Sequence, residues 1–318
     1  MRRVLVTGGA GFIGAAVTAA LAARGDAPVV FDLRDSRHLA ALRARHAAIA
    51  FVPGEITEWP ALMEAFRAHR PDAVVHCAAV VGVVNALASP AATFRVNVEG
   101  SLNVLAAARL AGVRRIVNLS TEEIYGPFGA AEIDETHPCF PLGAYGVSKF
   151  AVEQLAREQA ARHGLEVLHV RTCWVYGPGL PRPRVPKTLL DAALSGRPLH
   201  LPRGGDFRVD HVHVADVADG ILRALDAPAP RFDAYHIATG AAPSLAEIVA
   251  ILRDLVPGAD LDVGPGDYAF AEGVGAVRKG ALGIARARAD LGYAPRFTIR
   301  SGLADWIAAR RDGRDRET

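Results

Sequence analysis

Short apolar segments alternate with longer alanine-rich segments through the first half of the chain. Six apolar segments are rich in β-branched residues and lack the polar alternation of a half-buried strand: residues 4–6, 29–31, 49–52, 73–77, 116–119 and 167–170. Continuous hydrophobicity of this kind is typical of parallel strands that are buried on both faces. Between them lie helix-length segments with start signals such as Ser89-Pro90. The pattern predicts an α/β fold with a doubly wound parallel sheet of the Rossmann type.

This alternation ends near Thr172, where a proline-rich stretch and more isolated helical segments begin. We therefore predict a second unit, a smaller C-terminal substrate lobe that closes over the carboxyl edge of the sheet. The predicted NAD-binding Rossmann domain comprises residues 1–171 and 206–238, the lobe comprises 172–205 and 239–309, and residues 310–318 form a frayed tail.

Composition narrows the range of functions. The 318 residues carry 36 Lys and Arg against 34 Asp and Glu, so the net charge of +2 offers no electrostatic footprint for nucleic acid or an acidic membrane. The longest apolar run, residues 73–84, is shorter than the roughly 20 residues that span a bilayer. Three cysteines without a C-x-x-C spacing favour a reducing compartment. We expect a soluble cytoplasmic protein with a small-molecule substrate.

A glycine motif indicates a dinucleotide cofactor. Gly9-x-Gly11-x-x-Gly14 directly follows the first predicted strand and opens the first helix, where glycines let the backbone approach a pyrophosphate. Asp32 closes the second strand, and a carboxylate there binds ribose hydroxyls and repels a 2′-phosphate. The motif predicts NAD rather than NADP, although nearby Arg34 weakens that preference. The alternative is a glycine turn and a strand-ending acid with no ligand.

A tyrosine and a lysine predict proton-transfer chemistry. Tyr145 and Lys149 are four residues apart, hence on one face of a helix, and a neighbouring ammonium favours the phenolate form of tyrosine. Tyr145 is then a plausible proton shuttle for a carbinol. A solvated Tyr-Lys pair is the alternative, but the chain has only three lysines and uses arginine elsewhere. Thr121 follows the fifth strand, where its hydroxyl either holds a substrate oxygen or stabilises a turn.

Several motifs together carry a family resemblance. They are TGGAGFIG at residues 7–14, His76-Cys77-Ala78-Ala79, Asn97, STEEIYG at residues 120–126, the Tyr-x-x-x-Lys pair and RTCWVYGPG at residues 171–179. In combination they resemble the extended short-chain dehydrogenases/reductases, and more narrowly the NAD-dependent epimerase/dehydratase family of nucleotide-sugar enzymes. The resemblance covers the chain from the first strand to the last helix.

The resemblance implies roles for individual residues. Thr121, Tyr145 and Lys149 are implied as catalytic, with Lys149 also holding the nicotinamide ribose, and Glu122 is expected as an auxiliary acid or base or a substrate contact. The implied cofactor-binding residues are Gly8, Gly11, Phe12, Ile13, Gly14, Asp32, Glu55, Ile56, Ala78, Asn97, Tyr145 and Lys149. Dimerisation is common in the family, commonly through the helices that hold Asn97 and Tyr145, so a homodimer is expected.

The departures from the family pattern fall at the substrate. Trp174 stands where members usually carry an asparagine, Val209 where they carry a diphosphate-binding arginine, and Gly264 where a second arginine is expected. Arg208 lies one residue from the first of these arginine positions, and a one-residue offset in a strand turns a side chain to the opposite face. Trp174, Arg182 and Arg208 are the expected substrate contacts, and Arg184 and Arg278 are further candidates to replace the missing charges.

Two enzymatic functions remain open at this point. The first is an epimerase that uses Tyr-Lys-mediated hydride transfer to oxidise a sugar or nucleotide-sugar to a transient ketone. The second is a net NAD-dependent dehydrogenase of a free sugar, polyol or sugar acid. An NAD-binding regulatory protein is the third interpretation, which the retained Tyr-Lys pair disfavours. No metal is expected, because His211 and His213 share a strand face without a third ligand nearby in sequence.

Overall fold

The computed structural model describes residues 1–271 and 273–315. The strands are β1 (Arg3–Thr7), β2 (Ala27–Asp32), β3 (Ala50–Pro53), β4 (Ala73–His76), β5 (Arg115–Thr121), β6 (Glu132–Ile133), β7 (Glu166–Thr172), β8 (Trp174–Tyr176), β9 (Leu199–Leu201), β10 (His211–His213), β11 (Ala234–Ile237), β12 (Leu261–Val263), β13 (Ala269–Ala271), β14 (Val274–Gly275) and β15 (Ala281–Leu282). The α-helices are α1 (Phe12–Ala23), α2 (Arg37–Arg45), α3 (Trp59–His69), α4 (Val83–Ala88), α5 (Pro90–Phe94), α6 (Gly100–Leu110), α7 (Gly143–His163), α8 (Lys187–Ser195), α9 (Val214–Asp226), α10 (Leu245–Leu255), α11 (Ala285–Leu291) and α12 (Ile299–Arg311).

Seven strands form one parallel sheet in the order β3-β2-β1-β4-β5-β7-β11. The six segments predicted as strands fall on the first six of these, so the doubly wound Rossmann prediction is confirmed. The chain reverses direction across the sheet between β1 and β4, which pair with Thr7 opposite His76. Ligands of such sheets bind in the crevice at this reversal, outside the carboxyl ends of the strands.

Each face of the sheet is covered by helices. Val4 and Val6 of β1 pack on one side with α1 and α9, while Leu5 packs on the other side with α3 and α6. This follows from the two-residue period of a strand, which sends neighbouring side chains to opposite faces. Both faces are apolar because both are buried, and each fully buried Val or Leu contributes on the order of 1.5–3 kcal/mol. The sheet is therefore a rigid platform for the loops at its carboxyl edge.

A second apolar core belongs to the lobe. It joins β8, α8, α10 and α12 through side chains that include Trp174, Leu189, Ile248 and Trp306. Phe207 and Val209, which lie in a segment predicted for the Rossmann domain, pack into this core. Residues 281–293, predicted for the lobe, contribute Leu282 and Tyr293 to the core beside the sheet, and β15 pairs with β6 in a separate two-stranded sheet. The predicted domain division stays a prediction, and the apolar contacts of these two segments cross it.

The predicted tail over 310–318 needs a correction. Helix α12 continues to Arg311, and the Asp315 carboxylate accepts hydrogen bonds from Trp306 Nε1 at 2.8 Å and from the Gly179 backbone N–H at 2.5 Å. Residues 310–315 are thereby held against the lobe, and residues 316–318 lie outside the described residues. In the part of the chain that the structure describes, no helix combines the length and the hydrophobicity needed to cross a membrane.

Candidate active site

The loop between β1 and α1 is shaped for a close approach of its backbone to a ligand. Gly8 has a φ of +68°, and a Cβ there would lie 2.6 Å from the backbone nitrogen of Ala78. A Cβ at Gly14 would collide with the carbonyl oxygen of Gly8. Helix α1 starts after Gly11 without a side-chain cap, so its first backbone N–H groups are available to an anion. These features fit the pyrophosphate of a dinucleotide.

Asp32 lies at the end of β2 beside this loop. Its carboxylate accepts hydrogen bonds from the backbone N–H groups of Ala10 at 2.9 Å and Leu33 at 2.7 Å. Burial raises the pKa of Asp32, although these N–H groups oppose the shift. Glu55 and Ile56, from the loop after β3, line the same end of the cavity. The arrangement fits an adenosine and its ribose.

Asn97 does not line the cavity, although a cofactor contact was expected of it. Its Oδ1 accepts a hydrogen bond from Val80 N at 2.7 Å, and its Nδ2 donates to Val80 O at 3.1 Å and to Ser148 Oγ at 3.0 Å. The side chain is buried in a π-helical turn over Arg95–Glu99. All of its polar atoms are satisfied within the protein, so Asn97 positions the segment after Ala78 and links it to α7.

The predicted catalytic side chains meet at the carboxyl end of β5. Thr121 ends that strand, and its hydroxyl donates to Glu122 Oε2 at 3.1 Å and is hydrogen-bonded to Tyr145. Tyr145 and Lys149 reach the same cavity from α7. The cavity has a volume of about 820 Å³ and continues from these groups to the glycine loop. The predicted site residues that line it are Gly8, Gly11, Phe12, Ile13, Gly14, Asp32, Glu55, Ile56, Ala78, Thr121, Glu122, Tyr145, Lys149, Trp174 and Arg182.

The expectation that Lys149 lowers the pKa of Tyr145 is wrong for the protein by itself. Burial and the negative charge of Glu122 raise the pKa of Tyr145, whereas the sequence predicted a lowering by Lys149. Burial also lowers the pKa of Lys149 to about 8, and the charges that oppose this shift are those of Cys77 and Glu153. Desolvation is therefore the largest influence on the pKa of each group, and Tyr145 is a neutral phenol at neutral pH.

Glu122 titrates close to neutral pH. Burial, followed by repulsion from Glu123, raises its pKa to about 7, while the positive charge of Lys279 opposes the shift. Lys279 forms an ion pair with Glu123 at 3.2 Å and donates to the carbonyl of Gly126 at 3.3 Å. Glu123 is thus neutralised by a partner, whereas Glu122 faces the cavity without a cation in hydrogen-bond contact among the described residues. A carboxyl of this kind can donate or accept a proton.

A buried polar network fixes the position of α7 against the sheet. The Glu153 carboxylate accepts hydrogen bonds from Ser120 Oγ at 2.6 Å and from Arg171 Nη2 at 2.7 Å. Although burial favours the neutral acid, His169 and Arg171 together lower the pKa of Glu153 to about 2. Glu153 lies one helical turn after Lys149, so the ion pair ties the catalytic helix to β5 and β7.

The lobe supplies the other wall of the cavity. Trp174 packs edge-on to Tyr268 with ring centroids 5.8 Å apart, and Arg182 and Arg184 line the space beside it. Arg208, expected as a substrate contact, lies elsewhere: its half-exposed guanidinium pairs with Glu247 at 3.1 Å. The one-residue offset from the family position accounts for this, because the buried side chain there is that of Val209.

Each of the two histidines of β10 has its Nδ1 in a local hydrogen bond, whereas the buried Nε2 of each has no hydrogen-bond partner among the described residues. His211 Nδ1 is 3.0 Å from the carbonyl oxygen of Val209, and its ring is steeply inclined to that of Trp174. His213 Nδ1 accepts the Ala215 N–H at the start of α9. Within residues 1–271 and 273–315, no cluster of three potential ligands that could hold a metal is found.

Most of the site residues predicted from the sequence line the cavity, but the ion pairs that support it were not predicted. The Glu153–Arg171 pair and the Lys279–Glu123 pair join residues that are distant along the chain, so no local motif announces them. The scarcity of lysine is the one available signal for Lys279. Arg184 is predicted only as a possible replacement for a missing charge.

A dinucleotide crevice beside a Tyr-Lys pair at the carboxyl edge of the sheet defines an oxidoreductase of the extended short-chain dehydrogenase/reductase class. The chain belongs to the NAD dependent epimerase/dehydratase family, whose family model matches residues 4–238. The predicted family, enzyme class and cofactor NAD are thereby confirmed.

Relatives named as epimerases and relatives named as dehydratases both align with nearly the whole chain. UDP-glucose 4-epimerase from Azospirillum brasilense is 31% identical over 333 residues, which cover 95% of this chain and 89% of that protein. dTDP-glucose 4,6-dehydratase from Streptomyces antibioticus is 32% identical over 322 residues, covering 98% of this chain and 93% of that protein. The crystal structure of UDP-glucose 4-epimerase from Thermus thermophilus in complex with NAD superposes with a TM-score of 0.85 at 28% identity, covering 97% of this chain and 99% of that one.

Proposed function

We propose that this protein is an NAD-dependent epimerase that oxidises a sugar or nucleotide-sugar alcohol to a transient ketone and reduces it again from the other face. The observation that carries this proposal is the continuous cavity, in which Thr121, Glu122, Tyr145 and Lys149 share one space with the glycine loop. The epimerases among its relatives support the reaction type.

Each side chain has a role that follows from its place. The chemistry that bound NAD supplies is reversible acceptance of a hydride from the carbinol carbon. The ionised, phenolate form of Tyr145 takes the hydroxyl proton on Oη and later returns it, and the Thr121 hydroxyl holds the reacting oxygen beside it. Lys149 would hold the nicotinamide ribose. Gly8, Gly11 and Gly14 would hold the pyrophosphate, and Asp32 the adenosine ribose.

Glu122 controls when Tyr145 can act as a base. The carboxylate form of Glu122 opposes ionisation of Tyr145, and the protonated form does not. Because the pKa of Glu122 is raised to about 7, a proton on this group is available at neutral pH. Glu122 is therefore the auxiliary acid or base that relieves the phenol of an opposing charge.

A net dehydrogenase of a free sugar, polyol or sugar acid is the second candidate. It is favoured by the two positions where the resemblance implies diphosphate-binding arginines, because Val209 is buried in the lobe core and a Cβ at Gly264 would collide with the backbone of Pro202. Accumulation of NADH with a candidate alcohol identifies a dehydrogenase, whereas conversion of one epimer to another without NADH identifies an epimerase.

The Tyr145→Phe variant tests the catalytic proposal against the regulatory alternative. NAD-loaded wild type and variant are incubated with UDP-glucose, dTDP-glucose, glucuronate and gluconate, and NMR and NADH absorbance report the products. We expect turnover to fall by roughly 10²–10⁴-fold while the Kd for NAD stays unchanged. Tyr235→Phe, which removes a phenol hydroxyl near Asp290 instead, is the matched control and retains turnover. Unchanged turnover in Tyr145→Phe would instead support an NAD-binding regulatory protein.

We further propose a cytoplasmic homodimer. Exposed apolar side chains cluster on α4, α5 and α7: Val84, Leu87, Phe94 and Val147. Such a patch on a folded surface favours a partner, and a second copy is the simplest one. The three cysteines are all free, which favours a reducing compartment. Sedimentation at several concentrations, with Leu87→Arg as a disrupting variant, tests the dimer.

A further inference from the structure

Two guanidinium groups lie in the half of the cavity that the lobe covers. Arg182 and Arg184 both come from the proline-rich connection between β8 and α8, and both line the cavity. Burial lowers the pKa of each, yet each retains its charge at neutral pH because an arginine guanidinium does not deprotonate in this range. Within the described residues, neither has a carboxylate within ion-pair distance.

Arg184 is held in place by its neighbours, but not all of its hydrogen-bond donors have partners. Its guanidinium lies 5.3 Å from the centroid of the Trp174 ring, and its Nη2 donates to the carbonyl of Val175 at 3.1 Å. Its Nε is buried and has no hydrogen-bond partner among the described residues. A buried cation with unused hydrogen-bond donors is costly. Such a cation at the wall of a cavity therefore indicates a ligand that accepts hydrogen bonds from these donors.

Arg182 places the second charge near the reacting groups. Its Nη1 lies 2.7 Å from where a Cβ of Gly82 would be, at the edge of the loop that follows Ala78. The two arginines repel one another, and Tyr145 interacts electrostatically with both of them. The negative charge of Glu122 also interacts with Arg184 and raises its pKa. The positive pair is therefore close to the position of the reacting hydroxyl.

Two positions of the lobe, Val209 and Gly264, offer no charge to the cavity. Val209 is 2% exposed and belongs to the lobe core, and a side chain at Gly264 would collide with Pro202. Trp174 stands in an aromatic cluster with Phe207, Tyr268 and Phe270. Among the described residues that line the lobe side of the cavity, the cations are therefore Arg182 and Arg184.

We propose that Arg182 and Arg184 bind one compact anionic group, a carboxylate or a phosphate monoester, on the same small carbohydrate that bears the reacting hydroxyl. The planar fork of each guanidinium matches the paired oxygens of such an anion, and the hydrogen bonds are charge-assisted. A nucleoside diphosphate is not required for binding. The proposal rests on the proposed function, because the reacting hydroxyl is the one that Tyr145 addresses.

Ligand binding to the NAD-loaded protein tests this inference separately from turnover. The probes are glucuronate and gluconate, their neutral counterparts glucose and sorbitol, glucose 6-phosphate, and the nucleotides UDP and dTDP. Thermal shift and calorimetry are measured for wild type, Arg182→Gln and Arg184→Gln. Arg300→Gln, which removes an exposed lobe arginine paired with Asp254, is the matched control. Circular dichroism and the Kd for NAD establish that each variant is folded.

We expect at least one acid or monophosphate probe to bind wild type and the control, with a Kd about tenfold or more higher in either cavity variant. Binding of the neutral counterparts, glucose and sorbitol, should not change with the substitutions. Preference for an acid or for glucose 6-phosphate identifies the kind of anion. Tighter binding of UDP or dTDP, anion binding that is independent of both arginines, or binding of none of the anions overturns the inference. Arginine-dependent binding without turnover would sustain the inference while refuting the proposed function.

Discussion

Replacing Glu122 by glutamine should stabilise the protein, and by more at alkaline than at acidic pH. The side chain is 3% exposed, and burial with repulsion from Glu123 raises its pKa from an ordinary 4.5 to about 7. Glutamine keeps the shape and can still accept the hydrogen bond from Thr121, but it never ionises. The substitution therefore isolates the cost of a buried negative charge.

The sign and the size follow from proton linkage. Because the folded-state pKa lies above the unfolded one, the folded protein retains a proton that the unfolded chain has lost, so stability decreases as the pH rises from 4.5 through 7. With about 1.4 kcal/mol for each pKa unit, the cost to wild type reaches about 3 kcal/mol at pH 8 and is under about 1 kcal/mol at pH 5. The advantage of Glu122→Gln should grow by about 2–3 kcal/mol between these pH values.

Urea unfolding at pH 5 and pH 8 measures this difference. Glu58→Gln is the matched control, because that glutamate is exposed and its side chain makes no capping hydrogen bond to α3. Comparing each variant with wild type at the same pH cancels the titration of all other groups. A Glu122→Gln advantage that is equal at both pH values would refute the assignment of a buried, reluctantly ionised carboxyl.

Two further predictions concern the cofactor site and its support. Arg171→Met leaves the Glu153 carboxylate buried without its main partner. We therefore expect the free energy of unfolding, measured by urea titration, to fall by about 3–5 kcal/mol. A loss below about 1 kcal/mol would contradict this role of Arg171. Asp32→Ser removes the charge that repels a 2′-phosphate, so the ratio of the Kd values for NADP and NAD should fall in calorimetry, and an unchanged ratio would show that Asp32 does not face the ribose.

The cofactor half of the site was predictable from sequence because its determinants are local. The glycine loop, the start of α1 and Asp32 lie within one strand-helix-strand unit, and backbone geometry dictates their residue types. The strands were equally predictable, because strands that are buried on both faces have uninterrupted runs of apolar residues. Tyr145 and Lys149 are one helical turn apart, so their spacing alone brought them together.

The substrate half was less predictable because its walls are assembled from distant segments. Trp174 follows β7, whereas Tyr268 and Phe270 come from the β12–β14 region, and only the packed lobe places them in contact. The same holds for residues 281–293: they share the apolar core beside the sheet, and β15 pairs with β6 in a separate two-stranded sheet, through contacts that no local pattern encodes. Arg208 pairs with Glu247 on the surface while the next side chain, Val209, is buried in the lobe core, so a single residue of offset decides between surface and interior.

The pKa of Tyr145 shows why spacing does not determine electrostatics. A lysine at four residues' distance predicts a stabilised phenolate only if both groups remain solvated, but here both are buried and desolvation becomes the largest influence on each. All three lysines of the chain are buried, and two of them, Lys149 and Lys279, lie within or beside the catalytic cavity. In a protein that solvates its surface with arginine, lysine marks the places where a positive charge is enclosed. The pKa of Tyr145 is thus raised first by burial and then by the charge of Glu122, and the Tyr-Lys spacing does not determine it.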